Sequence, residues 1–408
     1  MFKMKKALSV VLSSALFVGA LAGCGGGSDT GKGTEGGTSG GTTGGGDLQV
    51  IKIATQSPLS GGSATLGESI KLGAQLALEE NQQKFNDLGF KLELVPQDDQ
   101  GDPKKGVANA QQLGADTAIL GVVGHLNSGV AIPSSEIYEK YSMVMVSPAN
   151  TATDVTDRKL KTVNRIVARD DFQGPAAAAF AINELKAKNI FVIQDKTAYG
   201  QGLADAFKGA AEKLGATIVG YEGITVGEKD FNGVLNQVTS KNPDFIYFGG
   251  LYSEGGLLIK QAREKGIEVP IMGGDGLDSS TLVDIAGDKI VNTYYSSVAA
   301  DITKTDAGKE WAARYKEKFG KNVEGFSAYG YDAMGVLLNG LEAAIKANDG
   351  KLPSREQVRD AVRAVKDFEG VVTKVGFDDI GDNNFAKVFI FKFEGPTYPG
   401  IQVSEQSR

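Results

Sequence analysis

The chain of 408 residues has one cysteine, one histidine and one tryptophan. A lone cysteine leaves no partner for an intrachain disulfide, and a lone histidine beside it cannot build a His/Cys metal cluster of the usual kind. Basic residues are also in deficit, with 43 Lys+Arg against 50 Asp+Glu and a net charge of −7. Neutralising phosphates needs a basic face, so this balance argues against nucleic acid as a partner. No GxxxxGK[ST] phosphate loop occurs, which argues against nucleotide hydrolysis. No GxSxG turn accompanies His125, so it reads as a hydrogen-bonded packing residue, with a catalytic role as the alternative.

The one cysteine is placed informatively. Lys3, Lys5 and Lys6 precede an apolar run from 7 to 21, and Leu21-Ala22-Gly23-Cys24 closes it. A basic start, a short apolar stretch and small residues at the end form a secretory signal peptide, too short for a membrane span. The tetrad resembles a lipobox, in which the cysteine sulfur is diacylated and residues 1–23 are removed. Several acyl chains hold firmly where one binds only marginally. The expectation is an exported protein, anchored to the cell envelope through lipid on Cys24 and facing the periplasm or the outside of the cytoplasmic membrane. Residues 1–23 hold three lysines and no acid, so their removal takes the net charge from −7 to −10.

Residues 24–47 follow as a Gly-rich tether, with almost nothing apolar to pack. A 22-residue coil of this type spans roughly 25–28 Å on average. From 48 onward short apolar runs alternate with helical periodicity, which predicts an α/β fold with parallel sheets. Strands are expected at 50–54, 92–95, 118–123, 143–146, 190–193, 217–221, 245–248, 269–272, 294–298 and 388–393, ahead of an irregular Gly/Pro-containing tail. Trp311, Tyr315 and Phe319 recur every four residues, so the tryptophan is expected in a helix-face core. The glycine pairs 249–250, 255–256 and 273–274 read as tight turns, and the acidic groups around Asp98-Asp99…Asp102 and Asp378-Asp379…Asp382 as solvated turns. So many βα units suggest two doubly wound lobes, whose ligands bind at the carboxyl ends of strands.

Three loops after strands carry suitable chemistry. Ser128-Gly129 opens a helix, where a hydroxyl and free N–H groups suit a carboxylate. The run Ser147-Pro148-Ala149-Asn150-Thr151 offers carbonyls and a hydroxyl to an ammonium, and Gly273-Gly274-Asp275-Gly276 offers a carboxylate. An α-amino acid needs all three kinds of group.

These loops also carry a resemblance. Gly124-His125-Leu126-Asn127-Ser128, the run from Ser147 to Ala152, the segments 195–204 and 223–231, and Ala328-Tyr329-Gly330-Tyr331-Asp332-Ala333 are similar to the leucine/isoleucine/valine-binding proteins of ABC transporters, in order along the chain. The resemblance implies a type I periplasmic-binding-protein fold: two doubly wound parallel-sheet lobes, joined by three crossovers, that close like a flytrap. It puts the first lobe at 48–168 with 299–376 and the second at 169–298 with 377–408.

Carried over by position, Ser128 and the Thr151 N–H would hold a ligand carboxylate. The Ala149 carbonyl, the Thr151 hydroxyl and Asp275 would hold its ammonium. Tyr199 and Tyr331 would wall the side-chain pocket, with Tyr329, Leu66 and Leu251 nearby. Leu66 and Leu251 stand where the family often has an aromatic, and Asp275 where it usually has glutamate. The family's frequent disulfide near Gly101 and Asn127 is missing. The resemblance implies no enzymatic activity, cofactor or metal; the partners would be an amino acid and an ABC permease, and a monomer is expected. Two rivals remain at this point: a sensory module of the same fold for another small carboxylate or amide, and an envelope hydrolase using His125 with Ser128.

Overall fold

A computed structural model describes residues 48–407; the signal peptide, Cys24 and the tether lie outside the described residues. The chain first builds a parallel sheet of five strands: β1 (Gln49–Ser57), β2 (Phe90–Asp98), β3 (Ile119–Gly124), β4 (Val144–Ser147) and β5 (Val163–Arg165), in the order β2-β1-β3-β4-β5. Between them run α1 (Ala64–Glu80), α2 (Gln82–Asp87), α3 (Pro103–Ala115), α4 (Ser128–Lys140) and α5 (Asp154–Asp157). β3 and β4 are buried along their whole length, as expected of a parallel sheet covered on both faces.

The second sheet starts at α6 (Asp170–Asn183) and continues through β6 (Asn189–Gln194), α7 (Ala198–Lys213), β7 (Thr217–Gly223), α8 (Asn232–Lys241), β8 (Phe245–Gly249), α9 (Tyr252–Glu264), β9 (Ile271–Gly273), α10 (Ser280–Ala286) and β10 (Thr293–Ser297). The chain then returns to the first sheet with α11 (Asp306–Phe319), α12 (Ser327–Ala347), α13 (Arg355–Arg363) and a small ribbon of β11 (Phe368–Glu369) and β12 (Lys374–Val375). It finishes on the second sheet with β13 (Lys387–Phe393) and β14 (Ile401–Ser407), giving the order β14-β13-β10-β9-β8-β6-β7. Three connections thus run between two sheet-centred lobes.

All ten expected strands are present. The tail differs from expectation: residues 401–407 form β14, antiparallel on β13. It is an edge strand with mostly exposed side chains, so it lacks the apolar alternation that marks a buried strand. Gly255 and Gly256 also depart from expectation, lying inside α9 and not in a turn. A Cβ on them would meet Leu277 and Ile285 at 2.5 and 2.8 Å, so their smallness serves close packing of that helix.

Trp311 is fully buried in a satellite core with Leu72, Leu76 and Tyr315 between α1, α11 and α12, as its spacing predicted. α1 and α12 approach until a Cβ on Gly73 would sit 1.8 Å from the Ser327 carbonyl oxygen.

The connections are held by charge. Arg165, at the end of β5, is fully buried and donates to Asp382 at 2.8 Å, while Arg169 donates to the same carboxylate at 2.9 Å. Thr156 donates to it too. Asp382 is therefore not a solvated turn residue, nor is Asp99, which is buried against His125. Burial alone would raise the Asp382 pKa, but the two guanidiniums outweigh it and hold the group below the usual carboxylate range.

Candidate functional site

The loops after β3 and β4 are tied together by one side chain. Asn150 accepts from the His125 N–H at 3.0 Å and from the Ser147 hydroxyl at 2.7 Å, and donates to the Leu126 carbonyl at 2.8 Å. This fixes Ser128, the first residue of α4, beside Ala149 and Thr151; all three are buried. The Ser128 hydroxyl accepts from the Ala152 N–H at 3.4 Å. Asn127 caps the helix without a side-chain bond, so the first turn keeps the unpaired N–H groups and the partial positive charge of a helix start.

His125 is committed elsewhere. Its Nδ1 lies 3.2 Å from Asp99 and its Nε2 3.1 Å from the Tyr138 hydroxyl, which donates to Gln56 at 2.8 Å. Both ring nitrogens are engaged within a buried network, so His125 is a packing residue and Ser128 has no base in it. Gly101 lies over the same loop, where a Cβ would be 3.4 Å from the Asn127 amide oxygen.

Facing these loops is the second lobe. The Tyr199 hydroxyl, from α7, donates to Asp275 Oδ1 at 2.8 Å and accepts from the Gly276 N–H at 2.8 Å. Gln173, from α6, donates to the same Asp275 oxygen at 2.9 Å and to the Ser296 hydroxyl at 3.0 Å. Leu251 approaches from the start of α9, 2.8 Å from where a Gly276 Cβ would stand. Burial pushes the Asp275 carboxyl up to about 6 against the bonds from Gln173 and Tyr199.

Sequence reasoning missed Asp170, the first residue of α6. It is 2% exposed, and neither carboxylate oxygen has a hydrogen-bond partner. Its N–H donates to the Thr151 carbonyl at 2.9 Å across the seam. Burial, and then the charge of Asp275, raise its pKa well above the usual carboxylate value. Arg165 opposes that rise, but its guanidinium is already bonded to Asp382 and to the Asn150 and Ala152 carbonyls. The Thr151 hydroxyl lies beside Asp170 and opposes its pKa rise more than Arg165 does, without reaching good hydrogen-bond geometry, and the Gln173 amide oxygen is buried and unpartnered.

The cleft is closed around this cluster. Thr65, at the start of α1, accepts or donates through its hydroxyl to Thr281 at 2.8 Å, and its N–H donates to the Tyr252 hydroxyl at 3.2 Å. Leu66, the next residue, is fully buried.

Two expected residues are elsewhere. Tyr331 points away from the cleft: its hydroxyl donates to Glu80 at 2.6 Å and its ring meets Trp311 edge-on. Residues two apart on a helix point about 200° apart, so Tyr331 and Tyr329 cannot share a wall. Tyr329 faces a separate cavity beside the connection at 299–303.

One lobe is built on a parallel sheet and the second on a sheet that is parallel except for β13 and β14, which run antiparallel at one edge and so depart from the expected all-parallel pair. With three connections and a closed polar cleft, they define a type I periplasmic-binding fold. Residues 50–395 match the family described as periplasmic binding protein, and the chain belongs to that family. It is 37% identical over 346 residues to the Leu/Ile/Val-binding protein BraC3 of Rhizobium johnstonii, covering 84% of this chain and 92% of that one. A Leu/Ile/Val-binding protein homolog of Brucella melitensis is 34% identical, with 86% and 94% covered. Among solved structures, the leucine-binding protein LivK of Thermotoga maritima superposes with a TM-score of 0.79 at 29% identity, over 87% of this chain and 98% of that one. LivJ of Streptococcus pneumoniae, a branched-chain amino acid transporter substrate-binding protein solved with isoleucine, gives 0.79 at 25% identity, over 88% and 99%.

Proposed function

We propose that this chain is the extracytoplasmic receptor of an ABC importer, binding an apolar, branched-chain amino acid between its lobes and handing it to the permease without chemical change. The observation that carries this is the pair of buried carboxylates, Asp170 and Asp275, facing the start of α4 across a closed seam. Buried charges are costly unless paired, and an α-ammonium supplies the missing cation. The ligand carboxylate then meets the N–H groups of α4, with Ser128 and Thr151. Tyr199, Leu66 and Leu251 bound the apolar end. The names of the relatives, and the isoleucine in the Streptococcus structure, support the same ligand class.

Titration calorimetry with a panel of amino acids tests this. Leucine, isoleucine or valine should bind, and Asp275→Ala should weaken binding by roughly ten- to a hundredfold, the worth of a charge-assisted bond of about 1.5–3 kcal/mol. Unchanged affinity in the variant would sink the assignment.

The lobes are taken to divide at 48–168 with 299–376 and 169–298 with 377–408. Cys24 is taken as the lipid anchor, on the lipobox sequence at 21–24. Full-length protein should partition into detergent phase and the Cys24→Ser variant into the aqueous phase; equal partitioning of both would remove the anchor.

A further inference from the structure

A cavity of about 680 Å³ lies beside the connection at 299–303, and none of the amino-acid cluster described above contributes to it: Ser128, Ala149, Thr151, Asp170, Tyr199 and Asp275 are all absent from its wall. Its volume falls in the range of ordinary small-molecule sites. The first lobe supplies Tyr315, Glu324 and Tyr329; the second supplies Asp278, Tyr295 and Tyr398. Five aromatic rings, counting Phe391, and four carboxylates, counting Glu68 and Asp301, thus line it, and Asp278 and Glu324 lie close enough for one charge to act on the other.

Asp278 and Glu324 lack a cation. Asp278 is 5% exposed and accepts only from hydroxyls, Ser297 at 2.7 Å and Tyr398 at 2.9 Å. Glu324 accepts from the N–H of Ser280 at 3.0 Å and from its hydroxyl. Lys321 reaches the rim but pairs with Glu68, and Lys316 is exposed on α11. A second observation concerns a neutral group: the Tyr295 hydroxyl is fully buried on the cavity wall with no hydrogen bond of good geometry, although the Gly400 backbone and Asp278 lie near it. It faces the charge of Asp278, yet no hydrogen bond of acceptable geometry joins the two.

We propose that this cavity is a second ligand site, which takes a small organic cation with an ammonium head between Asp278 and Glu324, caged by the tyrosine rings. Positive charge over an aromatic face is attracted by the ring's negative face, the more so when desolvated, and the carboxylates supply the counter-charge. The polar remainder of such a ligand reaches the Tyr295 hydroxyl. Because the walls come from both lobes, the occupied site favours the closed form, so cation and amino acid assist each other's binding.

The probes are choline and ethanolamine, a quaternary and a protonated ammonium, titrated calorimetrically into the 24–408 chain with and without saturating leucine. Saturable binding of either is expected, tighter with leucine present. Asp278→Asn with Glu324→Gln should raise its Kd at least about tenfold, while Asp275→Ala leaves a saturable cation site in place. Asn and Gln keep an amide oxygen for the donors on Ser297, Tyr398 and Ser280; Tyr398→Phe, which keeps the ring and loses only the hydroxyl bond to Asp278, should bind more tightly than Tyr398→Leu, which loses both.

No saturable binding of either probe would overturn the proposal, as would binding indifferent to the double variant, or binding lost in Asp275→Ala, which would place the cation in the amino-acid cleft. Binding of calcium chloride in place of both amines would overturn the aromatic role. Failure of leucine to bind, with choline still bound, would reject the amino-acid reading and leave this site standing.

Discussion

Asp170 and its neighbour Asp171 show how far a residue can be read before the chain folds. Both open α6, and acids in a first helical turn are ordinary. Folding separates them: Asp171 pairs with Arg169 at the surface, while Asp170 turns into the closed seam beside Thr151. Asp275 stood out as the one acid in the three post-strand loops that together suit an amino acid, and by its place in the family resemblance; Asp170 did not, because only the second lobe's placement buries it. Tyr331 was misread for a related reason, since its motif lies beside Tyr329 in sequence and behind it in space.

These buried acids predict two opposite pH trends. With a carboxyl raised to about 6 from 3.8, Asp275 is ionised above that value at a cost to the fold. The ligand-free protein should therefore gain stability as pH falls through 6 towards 4, below which folded and unfolded states are protonated alike. Amino-acid affinity should run the other way, dropping about tenfold between pH 7 and pH 5 as the carboxylate is neutralised. Melting curves and calorimetry across that range check both; affinity rising on acidification would exclude Asp275 as the ammonium partner.

At the scale of elements, the buried strands announced themselves and β14 did not. β4 is four apolar or small residues buried on both faces, so its composition alone marks it. β14 is held by backbone pairing to β13 with its side chains in solvent, and such a strand leaves little trace in hydropathy. The helix pair α1 and α12 is specified by absence of bulk instead. Gly330 meets the Ile70 carbonyl just as Gly73 meets that of Ser327. Gly73→Ala should push the helices apart and cost about 1–3 kcal/mol, read from denaturant midpoints. A neutral result would mean that the two helices have slack their geometry denies.

For the whole molecule, the decisive contacts are those between parts distant in sequence. Arg165 ends β5 and Arg169 stands just before α6, while Asp382 precedes only the last two strands of the second sheet; the three meet at the connections. Nothing in the sequence pairs residues more than two hundred positions apart, so this junction was read as a solvated acidic turn. Asp382→Asn leaves the fully buried Arg165 guanidinium without its acid, while Arg169 keeps Asp157 and Asp171, and should cost about 3–5 kcal/mol in thermal or chemical unfolding. A loss below about 1 kcal/mol would show the junction to be solvated after all.

The seam itself is bridged differently, by neutral hydroxyl bonds from Thr65 to Thr281 and Tyr252. Arg165 and Asp382 are enclosed and the Thr65 contacts carry no charge, while Glu324, which bonds across the seam, meets the neutral Ser280, so dissolved ions have little to screen in either place. Opening and closing should consequently proceed at nearly the same balance in dilute buffer and in molar sodium chloride, a tolerance useful to a receptor working outside the cell's own control of its medium.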